Sequence, residues 1–82
     1  MASISMIVKS HLSDLAIETA NINTPGFISS TGLPVADAVK VRLNFISFLL
    51  HNHSDTRVTL DEDQIDAYWD TAQFHANITK PV

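Results

Sequence analysis

The hydrophobic pattern of the chain is densest across residues 35–50, where apolar positions recur at the spacing of an α-helix. The polar positions fall on one narrow stripe: Asp37, Lys40, Asn44, Ser47 and His51. Two apolar seams cover the rest of the cylinder, the first with Val35, Val39, Leu43, Ile46 and Leu50, the second with Ala38, Val41, Phe45, Phe48 and Leu49. We therefore predict a central helix that two flanking surfaces must cover.

Two further segments have amphipathic helical patterns. Residues 3–20 start at a possible cap, Ser3 or Ser5, and carry an inner face of Ile4, Val8, Leu12, Leu15 and Ala16. Residues 60–77 carry an inner face of Ile65, Tyr68, Trp69, Ala72 and Ala76, and Thr59 with Glu62 has the spacing of a capping box at their start. The pattern predicts an all-α fold, a three-helix bundle running up-down-up, as a single domain over residues 1–82, with a frayed tail from Thr79.

The linker between the first two helices, residues 21–33, is about twice as long as the usual helix-to-helix connection. Since Phe27 and Ile28 are apolar, we expect it to lie on the core as an ordered strap. Pro34 suits the first turn of the central helix, with residues 31–33 supplying its cap.

The central helix has more apolar surface than two short helices can cover. We therefore expect a homo-oligomer, most simply a two-fold dimer with the central helix or the strap at its interface.

Composition and charge narrow the function classes. The chain is 45% hydrophobic and 17% charged, as in globular proteins. Five Lys and Arg against nine Asp and Glu give a net charge of −4, which argues against a nucleic-acid partner. The absence of cysteine removes disulfides, thiol catalysis and cysteine-based zinc sites. With neither a membrane-spanning segment nor a secretion signal in the pattern, we expect a cytoplasmic protein without membrane contact.

The most ligand-like cluster is His51 and His53 with Asp55, because imidazoles two residues apart can share a metal on extended backbone. Histidines at a helix C-terminus also complement the helix dipole without any ligand, and this interpretation is favoured. We expect no metal and no cofactor, and we keep a histidine-based metal-binding protein as the third hypothesis.

The last helix presents an outer row of acids, Asp63, Asp66 and Asp70, with Phe74 further along. These acids lack the alternating ligands and turn glycine of a calcium loop. Their functional interpretation is a contact face for a basic protein partner. Since the sequence contains neither a Ser-His-Asp arrangement nor a glycine-rich phosphate loop, the leading hypothesis is a small acidic, non-enzymatic protein–protein interaction module that regulates, inhibits or adapts a larger partner.

Residues 20–27, ANINTPGF, resemble the signature that ends the first helix of flagellar rod and hook axial proteins. Residues 57–62, RVTLDE, followed by a helix ending in FHAN at residues 74–77, are loosely similar to the C-terminal helix region of the same family. The resemblance implies that the first and last helices pair as an axial, coiled-coil-like assembly segment. A structural protomer of this kind is the second hypothesis.

Overall fold

The computed structural model describes residues 1–76 and contains three helices and one pair of short strands. In chain order these are β1 (Ala2–Ser3), α1 (Ile4–Ala20), α2 (Val35–Asn52), β2 (Thr59–Leu60) and α3 (Glu62–His75). The prediction of a mostly helical fold with three helices is confirmed. Asn77 and the predicted frayed tail lie outside the described residues.

Helix α2 is the central element, because it makes the main helix-to-helix contacts with both α1 and α3. The molecule is flat, with extents of 39 × 29 × 19 Å. Its core is a single cluster of buried apolar side chains: Ile4, Ile7, Val41, Phe45, Leu49, Leu60 and Ala72. Across residues 1–76, none of the helices combines the length and apolar character needed to cross a bilayer.

The buried face of α2 is narrower than the two predicted seams. The second seam is largely buried, but in the first seam Leu43 is 51% exposed and Leu50 is also exposed, so part of the apolar surface of α2 is left uncovered. The physical reason is that α1 and α3 cover neighbouring parts of the cylinder and leave the far side of α2 open.

The inner face of α1 is rotated relative to the prediction. Leu12 and Ala16 are exposed, whereas Ile7 and the charged residue Glu18 are buried. This rotation follows from the inward position of Glu18, which meets a partner on α2.

The ends of α1 and α3 are capped by side chains. The Ser3 hydroxyl accepts the backbone N–H of Met6 at 3.2 Å, one of the two predicted caps. At α3 the capping box is formed by Asp61 and Gln64, so the predicted box of Thr59 and Glu62 is wrong.

The reason lies in a strand pairing that the helical pattern missed. β1 and β2 pair antiparallel, with Ala2 opposite Leu60 and Ser3 opposite Thr59. The pairing holds Thr59 in extended backbone, and α3 begins only after it. Two-residue strands carry no periodic signal, so the sequence pattern could not reveal them.

The linker between α1 and α2 turns at two glycines with positive φ, Gly26 and Gly32, both at 78°. Asn21 closes α1 by donating its side-chain amide to the Ile17 carbonyl at 2.8 Å. Within the linker Phe27 is half-buried and Ser29 is buried, whereas Ile28 is 80% exposed and makes no core contact of the kind expected of it. Pro34 is the N-cap of α2 without any side-chain cap bond, which also corrects the predicted cap at residues 31–33.

Candidate functional site

A buried ion pair joins α1 to α2. Arg42 Nε donates to Glu18 Oε1 at 2.7 Å, and Arg42 Nη2 donates to Glu18 Oε2 at 2.7 Å. Both residues are only 2% exposed. Buried charges persist in proteins when they are paired and hydrogen-bonded, and this fork-to-fork geometry satisfies both groups.

The linker and α1 complete this network. Ser29, which is buried in the linker, donates its hydroxyl to Glu18 Oε2 at 2.6 Å. Arg42 Nη1 lies 2.8 Å from His11 Nδ1 and 3.6 Å from Asp14 Oδ2. Because arginine only donates, His11 accepts at Nδ1 and its neutral ring carries the proton on Nε2.

The network lowers the pKa values of both His11 and Glu18, for different physical reasons. Burial, followed by the nearby positive charge of Arg42, lowers the pKa of His11 and favours its neutral form. Hydrogen bonds from Arg42 lower the pKa of Glu18, against the opposing effect of burial, and favour the carboxylate. At neutral pH the network therefore holds a neutral imidazole beside a charged pair.

A cleft of about 340 Å³ opens beside the ion pair and is bordered by all three helices and the linker. We call it the Trp69 cleft. Phe45 and Trp69 meet there edge to face, with ring centroids 5.4 Å apart. Arg42 lies with Cζ 5.9 Å from the Trp69 ring centroid. The remaining lining residues are His11, Asp14, Ser30, Thr31, Ile65 and Asp66.

The Trp69 cleft combines aromatic walls with two acidic residues. The donors of Arg42 at Nε, Nη1 and Nη2 are engaged by Glu18 and His11, so this guanidinium is poorly placed to receive an anion. The carboxylates of Asp14 and Asp66 line the same cleft and offer acceptors to a cation.

The acids and the aromatic predicted for partner binding are exposed on α3. Their spacing of three, four and four residues keeps them on one face of the helix. We call this set the α3 stripe: Asp63, Asp66, Asp70 and Phe74. One member, Asp66, also belongs to the Trp69 cleft, so the two surfaces are continuous.

The two candidate metal ligands have different environments. His51 is exposed near the end of α2, whereas His53 Nε2 lies 3.0 Å from the Tyr68 hydroxyl. Asp55 accepts hydrogen bonds from both the backbone and the guanidinium of Arg57. Within residues 1–76, no group of three or more His, Asp or Glu side chains is arranged to hold a metal ion.

Sequence reasoning missed Arg42, Glu18, His11 and Ser29 as a cluster, because 24 residues separate the two charged partners. One signal was available: Arg42 interrupts the apolar part of α2, next to Val41 and outside the polar stripe. A charge at an apolar helical position requires a buried partner, and Glu18 is such a partner.

Comparison with known proteins gave no match: none was found among protein-family models, curated proteins or solved structures.

Proposed function

We propose that this protein is a small acidic, non-enzymatic interaction module that regulates, inhibits or adapts a larger protein partner in the cytoplasm. The observation that carries the proposal is the α3 stripe, whose four residues are all exposed along one helical face. Such a row offers a partner a continuous contact surface rather than scattered charges.

The charge of this region gives the partner its chemistry. Asp61, Glu62 and the three acids of the α3 stripe supply five of the nine acidic residues of the chain, whereas residues 61–75 contain neither Lys nor Arg. A surface of one sign steers an oppositely charged partner towards it and disfavours partners of like charge. The proposed partner therefore presents a basic surface.

Phe74 gives the α3 stripe an apolar end, because its side chain is 79% exposed. Exposed aromatic side chains that become buried on association are frequent energetic centres of protein interfaces. In this proposal the acids orient the partner and Phe74 enters an apolar depression on its surface.

The proposal also includes the linker between α1 and α2 as an ordered strap. The hydroxyl of Ser29 donates to Glu18 and also lies 2.9 Å from the Thr31 hydroxyl, which ties the linker to the ion pair. This bonding supports an ordered linker that closes the three-helix bundle at the end of the Trp69 cleft formed by Ser30 and Thr31.

Self-association is the second part of the proposal, with a two-fold dimer as its simplest form. Leu43 and Leu50 are exposed seven residues apart on α2, and Leu12 is exposed on α1. A second copy that covers these side chains would remove apolar surface from water, which favours association. These three residues lie on α1 and α2, whereas the α3 stripe lies on α3.

The test is photo-cross-linking from within the α3 stripe. A photoreactive benzophenone amino acid is placed at position 74 and, as a control, at position 28, where Ile28 is equally exposed on the linker. We expect a discrete basic protein to be cross-linked from position 74 and not from position 28. The charge-reversal variant Asp63→Lys/Asp66→Lys/Asp70→Lys should abolish the product, because it replaces attraction by repulsion.

A control variant, Asp37→Lys/Asp55→Lys, reverses two acids outside α3 and should leave the cross-link unchanged. If the triple variant is folded by circular dichroism and still cross-links the same protein in the same yield, the proposal is wrong.

A structural protomer resembling flagellar axial proteins is the second candidate function. The uncovered apolar residues Leu12, Leu43 and Leu50 favour it, since a repeating assembly would bury them between protomers. Light scattering distinguishes the two candidates: a closed dimer supports the interaction module, and open-ended growth with concentration supports the protomer.

A further inference from the structure

The Trp69 cleft has the form of a pocket for a side chain. Its apolar walls are formed by Phe45 from α2 and by Ile65 and Trp69 from α3. Carboxylates lie on two of its sides, Asp14 from α1 and Asp66 from α3. Apolar walls with a small number of convergent polar groups are the usual composition of ligand pockets.

The charges around the Trp69 cleft favour a cationic occupant. Three carboxylates, those of Glu18, Asp14 and Asp66, accompany the single guanidinium of Arg42 in this network and its cleft. His11 does not offset the excess, because burial and Arg42 lower its pKa and keep the ring neutral at neutral pH. The surroundings therefore carry a net negative charge.

We propose that the Trp69 cleft binds the guanidinium group of an arginine side chain from a basic segment of the partner. The identity of that partner as a basic protein rests on the proposed function. The aliphatic part of the arginine packs on Ile65 and the aromatic walls, and its guanidinium donates to Asp14 and Asp66.

Arginine fits these features better than lysine does. Its planar group stacks on aromatic faces, offers several donors to carboxylates on different helices, and is more weakly hydrated than an ammonium group.

The test uses Trp69 as its own reporter, because it is the single tryptophan of the chain. The probes are acetyl-Gly-Arg-Gly-amide and its lysine and citrulline counterparts, titrated at constant ionic strength. We expect the arginine peptide to change Trp69 fluorescence saturably, the lysine peptide to bind roughly three-fold more weakly, and the uncharged citrulline peptide to give no saturable change.

Two variants on the same helix separate a pocket from diffuse attraction. Asp66→Asn should weaken binding of the arginine peptide roughly five-fold, as expected for loss of one favourable ion pair. Asp63→Asn removes an equal charge outside the cleft lining and should change binding by less than about two-fold. Circular dichroism confirms that both variants are folded. Equal weakening by the two variants, or equal binding of lysine and arginine peptides, overturns the arginine pocket.

Failure of the pocket and failure of the proposed function have different signatures. In the first case, arginine binding does not depend on Asp66, but cross-linking from position 74 still depends on the acids of the α3 stripe. This result overturns the pocket and leaves the proposed function standing. In the second case, the arginine peptide binds in an Asp66-dependent way, but no cross-link depends on the acids of the α3 stripe. This result overturns the proposed function and supports the pocket.

Discussion

Arg42 and Glu18 form two hydrogen bonds of 2.7 Å across the interface of α1 and α2, at a site where both side chains are excluded from water. Each group depends on the other, because an isolated buried charge is far more costly than a buried pair. The pair also fixes the position of Ser29 in the linker and of His11 on α1. It therefore connects the core to the candidate binding cleft.

Removal of one charge from this pair should destabilise the fold strongly. Arg42→Met leaves Glu18 buried without its partner and should lower the free energy of unfolding by about 3 to 5 kcal/mol. The double variant Glu18→Met/Arg42→Met removes both charges and should recover most of that loss. Urea denaturation followed by circular dichroism measures all three proteins, and a double variant less stable than Arg42→Met would contradict this account.

Stability should fall in two stages on acidification. The pKa of His11 is lowered from 6.5 in the folded state, so the unfolded chain takes up this proton first and stability decreases as pH falls below that value. The pKa of Glu18 is lowered from 4.5, so its contribution is present above that value and is lost as pH falls through the folded pKa. Thermal denaturation at a series of pH values measures both stages.

The His11→Asn variant assigns the first of these stages. Its side-chain oxygen can accept from Arg42 and does not titrate, so the loss of stability below pH 6.5 should become shallower, while the loss below pH 4.5 remains. An unchanged slope in the first stage would show that His11 is not its source.

The start of α3 provides a test of the corrected capping box. Asp61→Ala removes the acceptor for the Gln64 N–H and should cost about 1 kcal/mol of stability. Thr59→Ala, at the residue that the sequence pattern favoured, should change stability by less than about 0.5 kcal/mol because its exposed side chain caps nothing. If urea denaturation shows a larger loss of stability for Thr59→Ala than for Asp61→Ala, the result would favour the capping box of Thr59 and Glu62 instead.

Two phenylalanines should respond very differently to truncation. Phe45 is fully buried against Trp69 and His11, so Phe45→Ala should cost about 3 to 5 kcal/mol. Phe74 is exposed, so Phe74→Ala should change stability by less than about 0.5 kcal/mol while weakening binding of the partner that cross-linking identifies. A large stability loss at Phe74 would mean that it serves the fold rather than a partner.

The open side of α2 should mediate self-association. We expect light scattering across a concentration series to give the mass of a dimer, and Leu43→Glu/Leu50→Glu to give a monomer of unchanged helix content. Ser54→Glu/Thr56→Glu, at exposed positions of the loop that follows α2, adds the same charge outside this surface; it is the matched control and should remain dimeric. A monomeric wild-type protein at every concentration would contradict this prediction.

The amino-acid pattern was sufficient to predict the number of helices, the central role of α2 and the exposed row of acids on α3. These follow from local periodicity, because a helix places residues three and four apart on one face whatever surrounds it. Ser3 as a cap is equally local, since its hydroxyl reaches a backbone N–H only three residues away.

Which apolar residues are covered, and which charged residues are buried in the core, depends on the packing of the three helices. The exposure of Leu43, the meeting of Arg42 with Glu18, and the pairing of β1 with β2 all depend on how distant segments pack. Helical spacing gives the faces of one helix but not the angle at which another helix crosses it, and that angle brings Asp14, Asp66 and Trp69 into one cleft.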